Sequence, residues 1–296
     1  MKRPVPGSGE KNFHADTWAC RVEGSGLPGL WASFSQRKPW GPTGERKSAG
    51  HASHFVFSEQ QAGFQSMSHE ARQTRLRPTL ISFDVFGTLI SVRESSYGAF
   101  ERILAETGAH RVDVKAFWEH WEHRNIVHYW KPYRTYREIC QLSLEETFVH
   151  FGLTGEGRLI NHYFDAFPRF FLYDDVVRTL DRLSRRYRLA VVSNIDDDLL
   201  ALTPLQREFD LVCTAQRAKG YKPDGALFRY LIEHAGCAKE EILHVGQSQF
   251  TDLVGGKPLG LTIAWINRRQ VALDDSVPRP DFIFADIQSL NDLVEL

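Results

Sequence analysis

Side chains that can react or bind an anion lie just past four apolar runs of this 296-residue chain or in the loops that follow them. They are Asp84 with Thr88, Ser193 with Asn194, Lys222 within Tyr-Lys-Pro-Asp, and Asp252 within Gly-Gln-Ser-Gln-Phe-Thr-Asp. This set offers a carboxylate able to attack as a nucleophile, a hydroxyl–amide pair and an ammonium able to hold an anionic substrate, and a second carboxylate. The chemistry requires that four distant segments meet in one place.

The pattern of apolar runs predicts the elements that bring these segments together. Strands are predicted at residues 79–83, 189–194, 211–214, 242–245, 261–266 and 282–284, with helices at 174–187, at 225–235 and before the strand at 261–266. Strands that alternate with helices predict a parallel sheet covered by helices on both faces. Loops at the carboxyl ends of such strands converge on one crevice, so we expect the four groups to meet there.

One stretch of the chain departs from this alternation. After the first strand, helical segments predicted at residues 97–107, 115–129, 136–151 and 161–167 follow one another without a strand between them. The second of them is dense in aromatic residues. The sequence therefore predicts an all-helical insertion after the first strand.

Composition narrows the class of protein. The chain is 42% hydrophobic and 25% charged with a net charge of -1, which is ordinary for a globular protein and gives no reason to expect a nucleic-acid or membrane partner. Four scattered cysteines, without metal-finger spacing, predict reduced thiols in a cytoplasmic protein. No apolar run has the length that a bilayer requires.

The first 76 residues differ from the rest in composition. They are rich in Gly, Ser, Pro, Arg and Lys and lack a sustained apolar period, so we expect a mostly disordered N-terminal extension over residues 1–76. A second start at Met67 would yield a compact chain that begins just before the first strand. A targeting peptide is the alternative, and its acidic residues count against it.

The four groups in their order resemble the motifs of the haloacid dehalogenase superfamily. The resemblance extends from residue 80 to the end of the chain. It rests on the motifs Phe83-Asp84-x-x-Gly87-Thr88-Leu89, Ser193-Asn194, Lys222-Pro223 and Gly246-x-Ser248-x-x-x-Asp252. It implies an α/β fold with a Rossmann-like parallel-sheet core at 77–94 and 172–296 and an inserted α-helical cap at 95–171. It also implies an aspartate nucleophile, here Asp84, that forms a covalent intermediate.

Within the superfamily the chain resembles the 2-haloacid dehalogenases. Phosphatases of the superfamily place a second Asp two residues after the nucleophile to protonate the leaving group, whereas Phe86 cannot transfer a proton. Gln247 stands where phosphatases carry an acidic magnesium ligand. The resemblance therefore implies a site without metal or cofactor, magnesium being needed only if the chain were a phosphatase.

The resemblance also implies roles for individual residues. Thr88, Lys222 and Asp252 assist Asp84 in catalysis. The residues expected to bind the substrate are Val85, Phe86, Ser193, Asn194, Trp121, Arg124, Gln247 and Ser248, with Val85 and Phe86 acting through backbone N–H groups. The chain departs from the branch at Glu122, where an ungapped alignment places the halide-contacting Arg, at Phe228 in place of a Tyr, and at Gln247 and Gln249 in place of Ser and Asn.

These observations give one function and two alternatives. The expected function is hydrolytic removal of halide from a small organic acid through an aspartyl ester. A magnesium-dependent phosphatase and a non-catalytic binding protein are the alternatives. The expected partner is a small-molecule substrate, and the sequence leaves a homodimer open.

Overall fold

The computed structural model describes residues 75–296. The predictions for residues 1–76 therefore lie outside the described part of the chain, except for its last two residues. Leu76 pairs with the C-terminal segment, since its backbone N–H donates to the Leu293 carbonyl at 2.9 Å. The described chain thus begins against its own C-terminus.

The strands form one six-stranded sheet and one two-stranded ribbon. Their bounds are β1 Leu80–Phe83, β2 Ile90–Ser91, β3 Phe171–Leu172, β4 Arg188–Ser193, β5 Leu211–Thr214, β6 Ile242–Gly246, β7 Thr262–Ile266 and β8 Phe282–Phe284. The large sheet is parallel throughout, in the order β5-β4-β1-β6-β7-β8, while β2 and β3 pair antiparallel. The predicted α/β fold with a parallel sheet is confirmed.

Strand β1 lies at the centre of the sheet and is buried on both faces. Leu80 packs on one face with the apolar residues of the C-terminal half, and Ile81 and Phe83 pack on the other. This alternation follows from the two-residue period of a strand. Phe83 lies between Val191 of β4 and Val245 of β6, so Asp84 emerges from the middle of the sheet.

The helices surround the sheet and form a separate layer between β2 and β3. Their bounds are α1 Val92–Glu106, α2 Val114–Tyr129, α3 Tyr136–His150, α4 Asn161–Phe164, α5 Val176–Leu183, α6 Asp197–Ala201, α7 Ala215–Ala218, α8 Ala226–His234, α9 Val254–Gly256 and α10 Leu290–Leu293. Just before α9, a π-helical turn spans Gln249–Leu253. The consecutive helices predicted after the first strand correspond to α1–α4.

Helix α1 begins five residues earlier than predicted. The prediction placed its start at Tyr97, whereas the helix begins at Val92, directly after Ser91 of β2. Polar Arg93, Glu94 and Ser95 form its first turn and conceal the apolar period there. The short strands β2 and β3 were not predicted, because two-residue strands leave no periodic signal.

Helices α1–α4 pack around aromatic side chains. The ring of Phe100 in α1 lies 5.0 Å from that of Trp121 in α2 and 5.9 Å from that of Tyr163 in α4. Thr135 and Glu138 form a capping box at the start of α3, which satisfies backbone N–H groups that the helix leaves unpaired. The helices therefore form an aromatic layer beside the carboxyl ends of β1 and β4.

Across residues 75–296, every helix is too short or too polar to cross a bilayer.

Candidate active site

Asp84 follows β1 at the point where the order of the sheet reverses. The chain leaves β1 for β4 and β5 on one side and only then crosses to β6 on the other. Such a point forms a crevice outside the carboxyl ends of parallel strands. The Asp84 N–H donates to the Val245 carbonyl at 2.9 Å, so the carboxyl group is fixed at the mouth of this crevice.

The turn after Asp84 depends on Gly87. Its φ of 84° is accessible to glycine at little cost, and a β carbon there would lie 2.9 Å from the Gln247 side chain. The turn returns the Thr88 hydroxyl to Asp84, where it donates to Oδ2 at 2.7 Å. The Gln247 N–H donates to the Thr88 oxygen at 3.0 Å, which orients the hydroxyl proton toward the carboxylate.

Arg268, which the sequence reasoning did not select, holds the same turn from behind. Its Nε and Nη2 donate to the Thr88 carbonyl at 3.1 and 2.8 Å, and Nη2 also lies 3.0 Å from Asp175. The guanidinium stacks 4.0 Å from the centre of the Tyr173 ring. Its position just past β7, at the same edge of the sheet as the other groups, is the signal that could have identified it.

Lys222 joins the two carboxylates. Its ammonium donates to Asp84 Oδ1 and, at 2.8 Å, to Asp252 Oδ1. All three side chains are buried, with Lys222 only 2% exposed. Asn194 positions the lysine by accepting its backbone N–H at 2.9 Å, and Gly255 lies so close that a β carbon would overlap the Lys222 carbonyl.

The two carboxylates titrate differently because they share one cation. Burial raises the pKa of Asp84 above its ordinary value, against the opposing charge of Lys222. In Asp252 the charge of Lys222 and a hydrogen bond from His244 outweigh burial and hold the pKa far below its usual range. Burial alone would lower the pKa of Lys222, but the two carboxylates raise it. Asp252 is thus the permanent counter-ion, and Asp84 is the more basic carboxylate.

His244 supports Asp252 from inside the sheet. Its Nε2 lies 3.3 Å from Asp252 Oδ1, and its Nδ1 lies 2.9 Å from the Ser82 hydroxyl of β1. The Ser248 N–H donates to Asp252 Oδ2 at 2.9 Å. The sequence reasoning missed His244, although a histidine within an otherwise apolar strand was a usable signal.

A cavity of about 100 Å³ lies between Asp84 and helix α2. Its apolar wall is formed by Phe86, Trp118, Trp121, Ile126, Tyr129 and Tyr163. Three buried polar atoms at this cavity have no hydrogen-bond partner among the described residues, namely Ser193 Oγ, Trp118 Nε1 and Asn125 Oδ1. Unpaired buried groups are costly, so a ligand that pairs with them gains binding energy.

The structure brings most of the predicted site residues together. Asp84, Phe86, Trp121, Ser193, Asn194, Lys222, Gln247 and Ser248 line the cavity. Thr88 and Asp252 lie behind it and act on Asp84 and Lys222 by the contacts above. The Val85 side chain is fully buried in the apolar core and leaves only its backbone for a ligand.

Arg124 does not line the cavity, which corrects the expectation that it contacts the substrate. Its guanidinium pairs with Glu146 of α3 at 2.5 Å. It lies two residues from Glu122 on the helix and so faces another direction. Phe228 is also remote from the cavity, with its ring packed against His244. Glu122, Asn125 and Tyr129, which do line the cavity, share one face of α2 by their spacing of three and four residues.

The residues present do not fit a magnesium ion. Each oxygen of Asp84 and Asp252 already accepts a hydrogen bond, from Lys222, Thr88 or the Ser248 N–H. Phe86 and Gln247 add no carboxylate, whereas hard cations favour several charged oxygens. Residues 75–296 contain no group of three or more His, Cys, Asp or Glu side chains arranged to hold a metal ion.

Comparisons with known proteins agree on one family. A family model described as haloacid dehalogenase-like hydrolase matches residues 78–260. The (S)-2-haloacid dehalogenase 4A of Burkholderia cepacia is 26% identical over 225 residues, covering 72% of this chain and 91% of that protein. The pyrimidine 5'-nucleotidase PynA of Streptococcus pneumoniae is 24% identical over 203 residues, covering 62% and 82%.

A solved structure shares the fold. The L-2-haloacid dehalogenase from Xanthobacter autotrophicus is 22% identical and superposes with a TM-score of 0.62, over 73% of this chain and 98% of that one.

Proposed function

The chain belongs to the haloacid dehalogenase-like hydrolases, and within that family we propose that it removes halide from a small 2-haloacid through an ester on Asp84. The observation that carries the proposal is the setting of this carboxylate. It faces a small cavity, it is paired with Lys222 and Thr88, and the residue two places on is Phe86. A halide leaves as a stable anion, so its departure does not require an acid at that position.

The first step uses Asp84 as the nucleophile. One carboxylate oxygen attacks carbon 2 of the substrate, and the carbon–halogen bond breaks with its electron pair on the halogen. The substrate carboxylate is held by the Ser193 hydroxyl, which is unpaired in the structure, and by the side-chain N–H of Asn194, whose oxygen already accepts from Lys222. Positioned donors of this kind hold the reacting atoms in line.

The second step hydrolyses the ester. Water adds to the carboxyl carbon of Asp84 and the ester C–O bond breaks. One proton of the water passes to the oxygen of the departing 2-hydroxyacid, the other is released to solvent, and the Asp84 carboxylate is restored. The Lys222 ammonium stabilises the charge that develops on the carboxyl oxygens, and the aromatic wall of the cavity excludes bulk water. We propose that helices α1–α4 act as the cap that closes over the substrate and that residues 77–94 and 172–296 form the core.

Halide release from a panel of 2-haloacids tests the proposal. We expect the wild type and Asp198→Asn, an exposed control on α6, to release halide with and without EDTA. Asp84→Asn is expected to lose turnover. A single turnover in isotopically labelled water is expected to place the label in the peptide that contains Asp84, because water attacks that carboxyl group. Label in the product alone would contradict the ester.

A phosphatase is the second candidate, favoured by the similarity to the nucleotidase. The same panel includes phosphate monoesters. EDTA-sensitive phosphate release without halide release would replace the proposed function with this one. The donor set around Asp84, which does not suit magnesium, leads us to expect the opposite result.

A further inference from the structure

The turn that carries the nucleophile, residues 84–89, is attached to the base of the helical layer. The chain enters helices α1–α4 after β2 and returns from them through β3, and these two strands pair antiparallel. We call residues 173–175, which follow β3, the return segment. The backbone N–H of Tyr173 in this segment donates to the Leu89 carbonyl of the turn at 3.1 Å. The position of the turn is therefore linked to the point where the chain leaves the helical layer.

One arginine side chain contacts both the turn and the return segment. Nε and Nη2 of Arg268 donate to the Thr88 carbonyl at 3.1 and 2.8 Å. Nη2 also lies 3.0 Å from Oδ2 of Asp175, and the guanidinium lies 4.0 Å from the centre of the Tyr173 ring. The planar fork of a guanidinium can hold several partners in fixed directions, which an ammonium cannot do. Arg268 thus bridges the two segments with one rigid group.

Both charged partners of this bridge are shielded from water and fixed by other contacts. The side chains of Arg268 and Asp175 are each only 12% exposed, so solvent ions screen their attraction less than that of a surface pair. Asp175 Oδ2 also accepts the backbone N–H of Ile287 at 2.8 Å. Asn267, next to Arg268, donates its backbone N–H to the Phe284 carbonyl of β8 at 2.7 Å. The bridge is therefore anchored to the edge of the sheet as well as to the return segment.

We propose that Arg268 is a positioning residue that ties the orientation of Asp84 to the seating of the helical layer. The inference rests on the proposed function, because it concerns the reaction of Asp84. The two are connected through Thr88, whose carbonyl is held by Arg268 and whose hydroxyl donates to Asp84 Oδ2 at 2.7 Å. A displaced return segment would move Asp175, and with it the guanidinium, away from Thr88. Asp84 would then lose a hydrogen bond that holds it in line for attack.

The charged and polar groups around Asp84 allow this connection to be measured. Burial and the charge of Asp252 raise the pKa of Asp84, whereas Lys222 and the Thr88 hydrogen bond lower it. Lys222 also donates to Asp252 at 2.8 Å, and neither of these two residues is held by Arg268 in the contacts above. A change at Arg268 is therefore expected to reach Asp84 through the Thr88 hydroxyl.

The first measurement compares kcat and KM of the wild type and Arg268→Lys on a 2-haloacid. Lys keeps the positive charge but cannot make the two-pronged contact with the Thr88 carbonyl. We expect kcat to fall by roughly 10–10²-fold and KM to change little, because a misplaced nucleophile slows attack without weakening substrate binding. Arg217→Lys is the matched control, since Arg217 also joins a main-chain carbonyl, that of Val212, to an aspartate, Asp197. It is expected to keep the wild-type kcat.

The second measurement follows the titration of Asp84 and needs no turnover. The carboxyl carbon is observed by NMR in protein that contains labelled aspartate, and its signal is assigned with Asp84→Asn. We expect Arg268→Lys to move the titration to higher pH, as Thr88→Val does. In the Thr88→Val background, Arg268→Lys is expected to add no further shift, because the hydroxyl through which it acts is gone. A purely structural role of Arg268 would leave the titration in place.

Asp175→Asn tests the end of the bridge on the return segment. Removal of a nearby negative charge would by itself lower the pKa of Asp84. Loss of the tie between the return segment and Arg268 is expected to raise it, so the direction of the shift distinguishes the two effects. This variant also leaves Arg268 in place, and it serves as the second test if Arg268→Lys melts far below the wild type.

The outcomes separate this inference from the proposed function. An unmoved Asp84 titration in Arg268→Lys, or an equal shift with and without the Thr88 hydroxyl, would overturn the role of Arg268. A shift to lower pH in Asp175→Asn would overturn the tie to the helical layer. If the wild type hydrolyses no 2-haloacid, the proposed function fails, and the titration still decides whether Arg268 orients Asp84.

Discussion

Two buried carboxylates share one ammonium group at the tip of β1, and this imbalance governs how the site titrates. Asp252 is tied to Lys222, His244 and the Ser248 N–H, so it stays ionised. Among residues 75–296, the Asp84 carboxylate accepts side-chain hydrogen bonds from Lys222 and Thr88 only, and burial raises its pKa. The nucleophile is therefore the group whose charge changes first as the pH falls.

The first prediction concerns the acid limb of the pH–rate profile. Activity requires ionised Asp84, so it is present above the Asp84 pKa and lost below it. Because burial raises the pKa of Asp84 above its ordinary value of 3.8, the acid limb is expected at a pH above 3.8. The Thr88 hydrogen bond lowers the pKa, so Thr88→Val is expected to move the limb to higher pH. kcat/KM measured against pH, with Thr79→Val as a surface control, checks this. A limb unmoved by Thr88→Val would contradict it.

The second prediction is that the nucleophile reduces the stability of the fold. The pKa of Asp84 is higher in the folded than in the unfolded chain, so above both values its ionisation costs folding free energy. Asp84→Asn is expected to raise the free energy of unfolding at pH 7. The gain is expected to vanish below about pH 3.8, where Asp84 is protonated in both states. Urea unfolding at both pH values measures it, and a less stable variant at pH 7 would refute it.

At the scale of residues, sequence reasoning located the groups fixed by chain position and missed those fixed by packing. Asp84, Lys222 and Asp252 meet because each follows a parallel strand, and that is readable from apolar runs. Whether Arg124 faces the cavity depends on the rotation of α2 about its axis. The aromatic-rich sequence of α2 does not show which of its faces is turned toward the cavity. His244 and Arg268 act through other residues, and the sequence reasoning assigned neither of them a role.

At the scale of elements, the strands and long helices were predictable and the short connections were not. Helices α2 and α3 are long and begin directly after Asp113 and Thr135, whose side chains accept backbone N–H groups of the first turn. The turn Gln249–Leu253 is a π-helix, which brings Asp252 back against Gly246. No periodic pattern encodes such a turn, because tertiary packing decides it.

The third prediction tests the close approach of α9 to the loop that carries Lys222. A β carbon at Gly255 would overlap the Lys222 carbonyl, so Gly255→Ala is expected to displace the lysine and lower both stability and activity. A β carbon at Gly98 in α1 would meet none of residues 75–296 within 4 Å, so Gly98→Ala is expected to gain roughly 0.5–1 kcal/mol of folding free energy and keep full activity. Thermal unfolding and initial rates of the two variants decide it, and an equally stable Gly255→Ala would contradict the packing argument.

At the scale of the whole molecule, the fold class followed from the alternation of strands and helices, but the order of the strands did not. Alternation allows several parallel orders, and the one observed places β1 between β4 and β6. How the helical layer attaches to the sheet is also unreadable from sequence. It depends on pairs such as Asp196 with the N–H groups of Tyr136 and Arg137, which donate to its carboxylate at 3.0 and 3.1 Å although they lie 60 and 59 residues away in the chain.

The last prediction concerns that attachment. Tyr221, next to Lys222, stacks 4.5 Å from Tyr129 of α2, and its hydroxyl donates to the Arg134 carbonyl at 2.8 Å. Tyr221→Ala removes both contacts, and a buried aromatic lost to alanine costs about 3 kcal/mol or more. We expect amide hydrogens of α2 and α3 to exchange faster than those of β1 in this variant, because the helical layer opens before the sheet does.

Tyr230→Ala, on α8, is the matched control. Its ring stacks on His234 of the same helix, so exchange in α2 and α3 is expected to match the wild type. Comparing exchange in the two variants distinguishes the effect of removing an aromatic ring from the effect of removing the contacts that attach the helical layer. Uniform acceleration across β1 and α2 in Tyr221→Ala would mean that sheet and helices unfold as one unit. In that case the helices could not open as a cap without unfolding the site, and substrate would have to enter by another route.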